Sequence, residues 1–139
     1  MKFYNSILPY NQNDMIEVRQ AEPYSYCQFI MGKDHTAHGR ARHPWLTGTA
    51  SWFYTAATKY IIGVRPTYNG LVIDPCIPSD WKEFEVKRKW LGATYNIKVA
   101  NPDGVEKGVK RISLNGHDVS GIIPTQADGS VNEIEVTMG

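Results

Sequence analysis

The sequence contains few cysteines, almost no net charge and no long apolar run. Two cysteines among 139 residues, Cys27 and Cys76, are too few for the disulfide framework of a small secreted domain. Fifteen lysines and arginines against fourteen acidic residues leave a formal charge of +1, so we expect no nucleic-acid partner. No stretch is long enough to span a bilayer and no apolar leader follows Met1, so the sequence predicts no membrane partner and a cytoplasmic location.

Apolar periodicity divides the chain near Pro66. Before this proline the spacing of apolar residues and the capping signals predict helices. Two of the predicted helices run from Lys2 to Leu8 and from Thr49 to Ile62. A possible short helix between them has Pro23 at its first position. Gly63 supplies the C-terminal stop of the last of these helices.

Beyond Pro66 the apolar residues alternate with polar ones, which is the pattern of half-buried strands. The alternating positions are Phe84, Val86, Arg88 and Trp90, then Tyr95, Ile97 and Val99, and finally Ile134 and Val136. Asn115-Gly116 lies between two apolar runs and predicts a two-residue hairpin. The sequence therefore predicts an α+β protein in which helices precede an antiparallel β-sandwich.

The segment WLTGTASW, residues 45–52, predicts a helix N-terminus suited to an anion. Thr47 is the predicted N-cap, and Gly48 lets a ligand approach the backbone closely. No acidic residue occupies the first turn, so its N–H groups and the positive end of the helix dipole are free for a phosphate. The alternative is that Thr47 is only a cap and Gly48 only a tight bend.

Four blocks of sequence, in order, resemble a known family. They are EPYSYCQ (22–28), GRAR leading into WLTGTA (39–42 and 45–50), YIIGVRPTYNGL (60–71) and IDPCIP (73–78). They resemble the C-terminal end of the inverting β-disaccharide phosphorylases of glycoside hydrolase family 94, the cellobiose and chitobiose phosphorylases. The likeness continues through residues 92–95 and 101–102, so it covers essentially the whole chain.

The resemblance implies an incomplete architecture. Enzymes of this family are several times longer than 139 residues and place an (α/α)6 barrel ahead of a C-terminal jelly roll. By this likeness, residues 1–66 are the last helices of the catalytic barrel and residues 67–139 are the C-terminal β-sandwich domain. We expect a fragment that associates with the missing N-terminal portion or forms a homo-oligomer.

The resemblance also implies the chemistry and the site residues. Inverting phosphorylases use one carboxylic acid to protonate the glycosidic oxygen, and inorganic phosphate is the co-substrate in place of a cofactor. Thr47 and Gly48 match the phosphate-binding pair of the family, and Gln28 matches a glutamine that lines the phosphate and sugar subsite. No residue matches the catalytic acid, so the chain is expected to be inactive alone. The substrate expected for the assembled enzyme is a β-linked disaccharide; cellobiose is favoured, and chitobiose or another β-disaccharide is the alternative.

Two alternatives to this interpretation involve a different kind of site. His35, His38 and His43 have spacings that would suit a metal ion, but they lack cysteine or carboxylate partners, and we expect no metal site. The chain could instead be a stand-alone carbohydrate-binding or complementing module without catalysis. Asp74 lies beside a proline, where a turn or cap role is favoured over acid catalysis.

Overall fold

A computed structural model describes residues 1–139, which divide into two compact units. The N-terminal unit is Met1–Thr55 and the C-terminal unit is Ala56–Gly139. The fold is α+β, with a few short helices and several sheets. None of the helices is both long and apolar enough to cross a membrane.

The N-terminal unit is built from short helices and one small hairpin. Its elements are α1 (Lys2–Ser6), a 3-10 helix (Pro9–Met15), α2 (Ile16–Arg19), β1 (Phe29–Ile30), β2 (Ala41–Arg42) and α3 (Thr49–Thr55). The opening helix begins at Lys2 as predicted but ends two residues earlier than expected. The 3-10 helix then starts at Pro9, where the missing N–H is no loss because the first N–H groups of a helix have no partner inside it.

The helix predicted at Pro23 is wrong. The segment is a turn that the Ser25 N–H closes by donating to the Glu22 carbonyl at 3.0 Å. The physical reason lies in Arg19, whose guanidinium donates to the main-chain carbonyls of both Glu22 and Ser25. Both carbonyls therefore accept from Arg19 and not from N–H groups of a helix. The spacing of apolar residues does not predict these side-chain bonds.

The long helix predicted from Thr49 to Ile62 changes its type part-way along. The α-helical part is α3, and a π-helix (Ala56–Ile61) follows as the first element of the C-terminal unit. The Ile62 N–H donates to the Ala57 carbonyl at 2.8 Å, five residues back. Gly63 ends the helix as predicted, with a φ of 80°. A Cβ at this position would lie 2.3 Å from the carbonyl of Asp74, so only glycine fits.

Strands make up most of the C-terminal unit. A three-stranded sheet consists of β3 (Val64–Thr67), β4 (Gly70–Ile73) and β9 (Ile122–Ile123), in that order. A five-stranded sheet in the order β5-β6-β10-β7-β8 consists of β5 (Glu83–Trp90), β6 (Ala93–Ala100), β7 (Val109–Leu114), β8 (His117–Val119) and β10 (Val131–Met138). The prediction of purely antiparallel pairing is wrong for one pair, because β10 runs parallel to β6. Three strands separate these two along the chain, which gives the crossover that a parallel pair requires.

The predicted alternation sets the core of the C-terminal unit. Tyr95, Ile97 and Val99 are buried on β6, and Ile134 and Val136 are buried on the neighbouring β10. The same apolar cluster includes residues of the three-stranded sheet, namely Leu71, Ile73 and Ile123. The predicted hairpin is confirmed between β7 and β8, where Asn115 and Gly116 have φ values of 50° and 82°, as a type I′ turn requires.

The N-terminal unit buries few side chains of its own. Phe3 is 86% exposed, and Ile7 also faces solvent. Three aromatic rings of the unit do contact one another. The Phe53 ring lies 5.0 Å from that of Tyr4 and 5.2 Å from that of Tyr26, measured between centroids. These contacts bring the opening helix and α3 together within the unit.

Candidate functional site

The turn before α3 differs from its predicted form by one residue. The Gly48 carbonyl accepts the N–H of Trp52 at 3.0 Å, so Gly48 is the N-cap and the assignment of Thr47 to that position is wrong. Thr47 lies one residue earlier, and its Oγ1 accepts the N–H of Thr49 at 3.1 Å. The threonine therefore satisfies an N–H of the first turn from outside the helix, through a local turn that threonine side chains commonly form.

The hydroxyl of Thr47 shares a hydrogen bond with the hydroxyl of Thr49. Its Oγ1 lies 2.7 Å from the Oγ1 of Thr49, close enough for a hydrogen bond in either direction. When Thr49 donates its hydroxyl proton, Thr47 accepts twice, and its own proton is then free for a further acceptor. The arrangement can therefore present one O–H donor to an anion in front of the turn.

Space at Gly48 is open on its exposed side. A Cβ at this position would meet only the indole of Trp52, at 3.5 Å, which is an ordinary van der Waals contact. The residue is exposed, and no acidic side chain lies in the first turn of α3. Glycine is therefore not required for folding here, and a requirement for it would have to come from a ligand.

Gln28 lies on the segment that leads into β1. Its N–H donates to the Arg42 carbonyl at 3.0 Å, which ties it to the β1–β2 hairpin. The residue lines a cavity of about 350 Å³ together with Arg19, Thr49 and seven neighbours from the N-terminal unit. The structure thus brings Gln28 to the same cavity as the first residue of α3, whereas Thr47 and Gly48 do not line it.

Arg19 is a residue of this region that sequence reasoning did not find. Its side chain is only 6% exposed, and it donates to the Glu22 carbonyl at 3.0 Å and to the Ser25 carbonyl. No carboxylate lies within ion-pair distance of it, and no acidic residue lines the cavity. A basic residue in the last turn of a short helix is a common sequence feature, so no sequence signal marked this arginine for burial.

Two ionisable side chains nearby have shifted pKa values. The pKa of Glu22 is lowered by a hydrogen bond from its own main-chain N–H, then by the indole of Trp45, with a smaller contribution from the charge of Arg19. The pKa of Tyr26 is raised by burial, because desolvation disfavours the phenolate. At neutral pH the site therefore has an ionised Glu22 and a neutral Tyr26.

Two of the three histidines considered as metal ligands have local partners. His35 accepts the Ala37 N–H at its Nδ1 at 2.9 Å, and the ring of His43 lies 5.8 Å from that of Phe29. No three His, Cys, Asp or Glu side chains come together as a metal site would need.

Asp74 pairs with Arg65 at 3.5 Å and with Lys107 at 3.6 Å, both measured from nitrogen to Oδ2. Cys27 and Cys76 are free thiols.

Comparison with known proteins identifies the family. The model of the glycosyl hydrolase 94 superfamily, catalytic domain, matches residues 1–63. All 139 residues are 63% identical to part of N,N'-diacetylchitobiose phosphorylase from Vibrio proteolyticus. The chain belongs to the glycosyl hydrolase 94 superfamily. The resemblance found in the sequence is thereby confirmed.

Other members of this superfamily are similar over nearly the same length. N,N'-diacetylchitobiose phosphorylase from Vibrio furnissii is 58% identical over 139 residues, and solabiose phosphorylase from Paenibacillus borealis is 34% identical over 136 residues. The chain spans only 17% of the length of either Vibrio relative and 18% of the Paenibacillus protein. It therefore corresponds to a small part of each of these disaccharide phosphorylases.

Proposed function

We propose that this chain is the C-terminal part of an inverting β-disaccharide phosphorylase and contributes to its phosphate site. The whole-chain identity of 63% to a phosphorylase is the observation that supports this most strongly. In this proposal residues 1–66 are the last helices of an (α/α)6 barrel and residues 67–139 form a jelly-roll-like β-sandwich. Exposed apolar side chains in the N-terminal unit and one apolar cluster shared by two sheets in the C-terminal unit support a division into two parts, although the compact units meet at Thr55 and Ala56 and not at residue 66.

Each proposed site residue has a role that suits its chemistry. Phosphate attacks the anomeric carbon while an acid from another part of the enzyme protonates the departing oxygen. The Thr47 hydroxyl donates to the phosphate, Gly48 leaves room for it, and Gln28 contacts the phosphate or the sugar. The open space at Gly48 supports its role, and the Thr47 hydroxyl can donate to phosphate when Thr49 is the donor of the hydrogen bond between the two threonines.

The preferred substrate in this proposal is N,N'-diacetylchitobiose. The sequence alone favoured cellobiose, but the two Vibrio relatives at 63% and 58% identity are both named for activity on N,N'-diacetylchitobiose. Solabiose phosphorylase is more distant, at 34%. The products would be a sugar 1-phosphate and a free sugar.

A chimeric enzyme tests the proposal directly. This chain would replace the matching 139 residues of the Vibrio proteolyticus enzyme, and release of sugar 1-phosphate from N,N'-diacetylchitobiose or cellobiose would be measured. We expect phosphate-dependent cleavage by the chimera, faster with N,N'-diacetylchitobiose. The 139-residue chain alone should give none, because loss of a general acid alone removes about 10²–10⁴-fold in rate. A folded chimera without activity, or an active isolated chain, would contradict the proposal.

A carbohydrate-binding module is the second candidate, supported by one apolar surface of the C-terminal unit. The tips of two hairpins form an open cavity of about 380 Å³ lined by Pro66, Thr67, Tyr68, Trp90 and Leu91. The Tyr68 ring is fully exposed, and exposed aromatic rings are suited to stacking on sugars. Titration of the chain with N,N'-diacetylchitobiose would favour this candidate only if Tyr68→Ala abolished binding and Gln28→Ala did not.

Cellular location and assembly belong to the same proposal. An enzyme that uses cellular phosphate is expected in the cytoplasm, and the apolar side chains of the N-terminal unit suggest association with the rest of the phosphorylase or with a second copy. Both statements remain predictions. Co-expression of the chain with the complementary N-terminal portion, followed by size-exclusion chromatography, would test the second.

A further inference from the structure

Trp45 is bonded at two points to the segment that carries Gln28. Its indole Nε1 donates to the Glu22 Oε1 at 3.1 Å, and its main-chain N–H donates to the Tyr26 carbonyl at 3.3 Å. Trp45 itself lies two residues before Thr47. The two segments that hold the proposed site residues are therefore joined through one tryptophan.

The backbone of Trp45 has a conformation that its side chain does not favour. Its φ is 73°, in the left-handed region that bulky residues rarely adopt. The side chain is 63% exposed, so burial in a core does not hold it there. Its side chain contacts the N-terminal unit through the hydrogen bond to Glu22 and an edge contact with Tyr24, whose ring centroid lies 5.7 Å away. Unfavoured backbone angles of this kind persist where neighbouring bonds impose them, often at functional sites.

The Glu22 end of this link is itself anchored. The buried guanidinium of Arg19 donates to the Glu22 carbonyl at 3.0 Å and to the carbonyl of Ser25. Hydrogen bonds to the Glu22 carboxylate lower its pKa, so the group is ionised at neutral pH and is a strong acceptor for the indole N–H. The main chain of Glu22 is thus held by Arg19, and its carboxylate accepts the indole N–H.

We propose that Trp45 is a positioning residue, whose indole, held by Glu22, fixes the left-handed bend that places Thr47 and Gly48 relative to Gln28. This inference rests on the proposed phosphate role of Thr47. Its effect should be larger on phosphate than on the disaccharide, because Thr47 and Gly48 have only a phosphate role in this proposal, whereas Gln28 contacts the phosphate or the sugar. Misplacement of a binding group by about 1 Å is enough to change kinetics strongly.

The first test uses the chimeric phosphorylase and separates KM from kcat for each substrate. Trp45→Phe keeps an aromatic ring but removes the indole N–H, and we expect the KM for phosphate to rise about fivefold to tenfold, since one hydrogen bond is lost. The KM for the disaccharide should change less than about twofold. Glu22→Gln retains an acceptor oxygen, so its KM for phosphate should stay close to that of the unmodified chimera. Glu22→Ala has no acceptor and should raise the KM for phosphate as much as Trp45→Phe does.

A matched control comes from the other unit. Trp81 is a partly exposed tryptophan of the C-terminal unit that contacts Phe84, so Trp81→Phe makes the same chemical change at a residue with no proposed role in the site. It should alter neither KM. In the 139-residue chain itself, the Trp45 indole N–H should exchange with solvent faster in Glu22→Ala than in the unmodified chain. Unchanged exchange would show that the link does not hold the indole.

The outcomes distinguish this inference from the proposed function. If Thr47→Val impairs phosphate use and Trp45→Phe does not, the positioning role is wrong and the phosphate site stands. If neither variant changes the phosphate kinetics of an active chimera, both proposals fail. If Trp45→Phe lowers only thermal stability, or raises both KM values equally, the residue is structural and the positioning role is overturned.

Discussion

Most of the exposed large apolar side chains of this protein lie in the N-terminal unit, whereas the C-terminal unit contains its apolar core. The C-terminal strands alternate apolar and polar residues, so each strand buries one face against the rest of that unit. Helices of the N-terminal unit are four to seven residues long and bury almost nothing. Isolated helices of this length are marginal in water, so we expect the unit to need further protein to become stable.

Polar contacts have different roles in the two units. In the C-terminal unit the buried Asn101 donates to the carbonyls of Trp81 and Val105, which supports a core that already exists. In the N-terminal unit, Arg19 and Glu22 hold main-chain and indole groups in place where there is little apolar packing. The comparison shows that hydrogen bonds can shape a candidate site without supplying the stability that a core gives.

The largest effect expected from this comparison concerns stability. Ile134→Ala removes a buried side chain from β10 and should lower the free energy of unfolding by about 2–5 kcal/mol, because it leaves a cavity. Phe3→Ala, at an exposed position, should change it by less than about 0.5 kcal/mol. Urea unfolding followed by circular dichroism measures both. A larger effect for Phe3 than for Ile134 would reverse the proposed roles of the units.

The next largest effect concerns phosphate use by the chimeric phosphorylase. Thr47→Val keeps the shape of the side chain but removes the hydroxyl, and a hydrogen bond to a charged group is worth about 1.5–3 kcal/mol. We expect kcat/KM for phosphate to fall by about one to two orders of magnitude, since about 1.4 kcal/mol is tenfold. Gly48→Ala should also impair phosphate use.

The control for this prediction is stability. A Cβ at Gly48 meets only an ordinary contact, so Gly48→Ala should leave the melting temperature of the chain nearly unchanged. If Thr47→Val instead lowers only the melting temperature and leaves phosphate kinetics intact, the threonine acts only in the turn. The N-terminal unit would then carry no phosphate contact at this position.

A smaller effect is expected from a surface ion pair of the C-terminal unit. Arg111 pairs with Asp118 at 2.7 Å across β7 and β8, and the pKa of Arg111 is raised by this hydrogen bond and by the charge of the carboxylate. Both side chains are exposed, so Asp118→Asn should lower stability only slightly. The difference should disappear at high salt, which thermal unfolding at two ionic strengths would test. A large effect that resists salt would mean that this pair supports the core.

The smallest effect is a pH dependence in the N-terminal unit. Burial raises the pKa of Tyr26 above its ordinary value of 10.0. The unfolded chain therefore loses this proton first, so the contribution of Tyr26 to stability is complete below about pH 10 and is lost as pH rises through the folded pKa. Absorbance of tyrosinate against pH, compared with Tyr26→Phe, measures the shift. A Tyr26 that titrates like a free tyrosine would mean that this part of the unit is open to water.

Several features of the protein were determined by local sequence. Alternation placed the buried residues of β6 and β10, because side chains of a strand point to opposite faces in turn. Asn115-Gly116 gave the β7–β8 hairpin and Gly63 the helix stop, because each needs left-handed backbone angles at a defined position. The family was also recognisable from its sequence blocks.

Tertiary structure decided the remaining features, because they depend on groups distant in the sequence. The parallel pairing of β10 with β6 joins strands separated by three others. The burial of Arg19 replaced the helix predicted at Pro23 with a turn, since its guanidinium bonds carbonyls that a helix would use. Trp45, whose backbone is left-handed, is hydrogen-bonded to Glu22, twenty-three residues earlier. Periodicity and capping signals report neighbours within a few residues, so the arrangement around Thr47 and Gln28 became visible only in the folded chain.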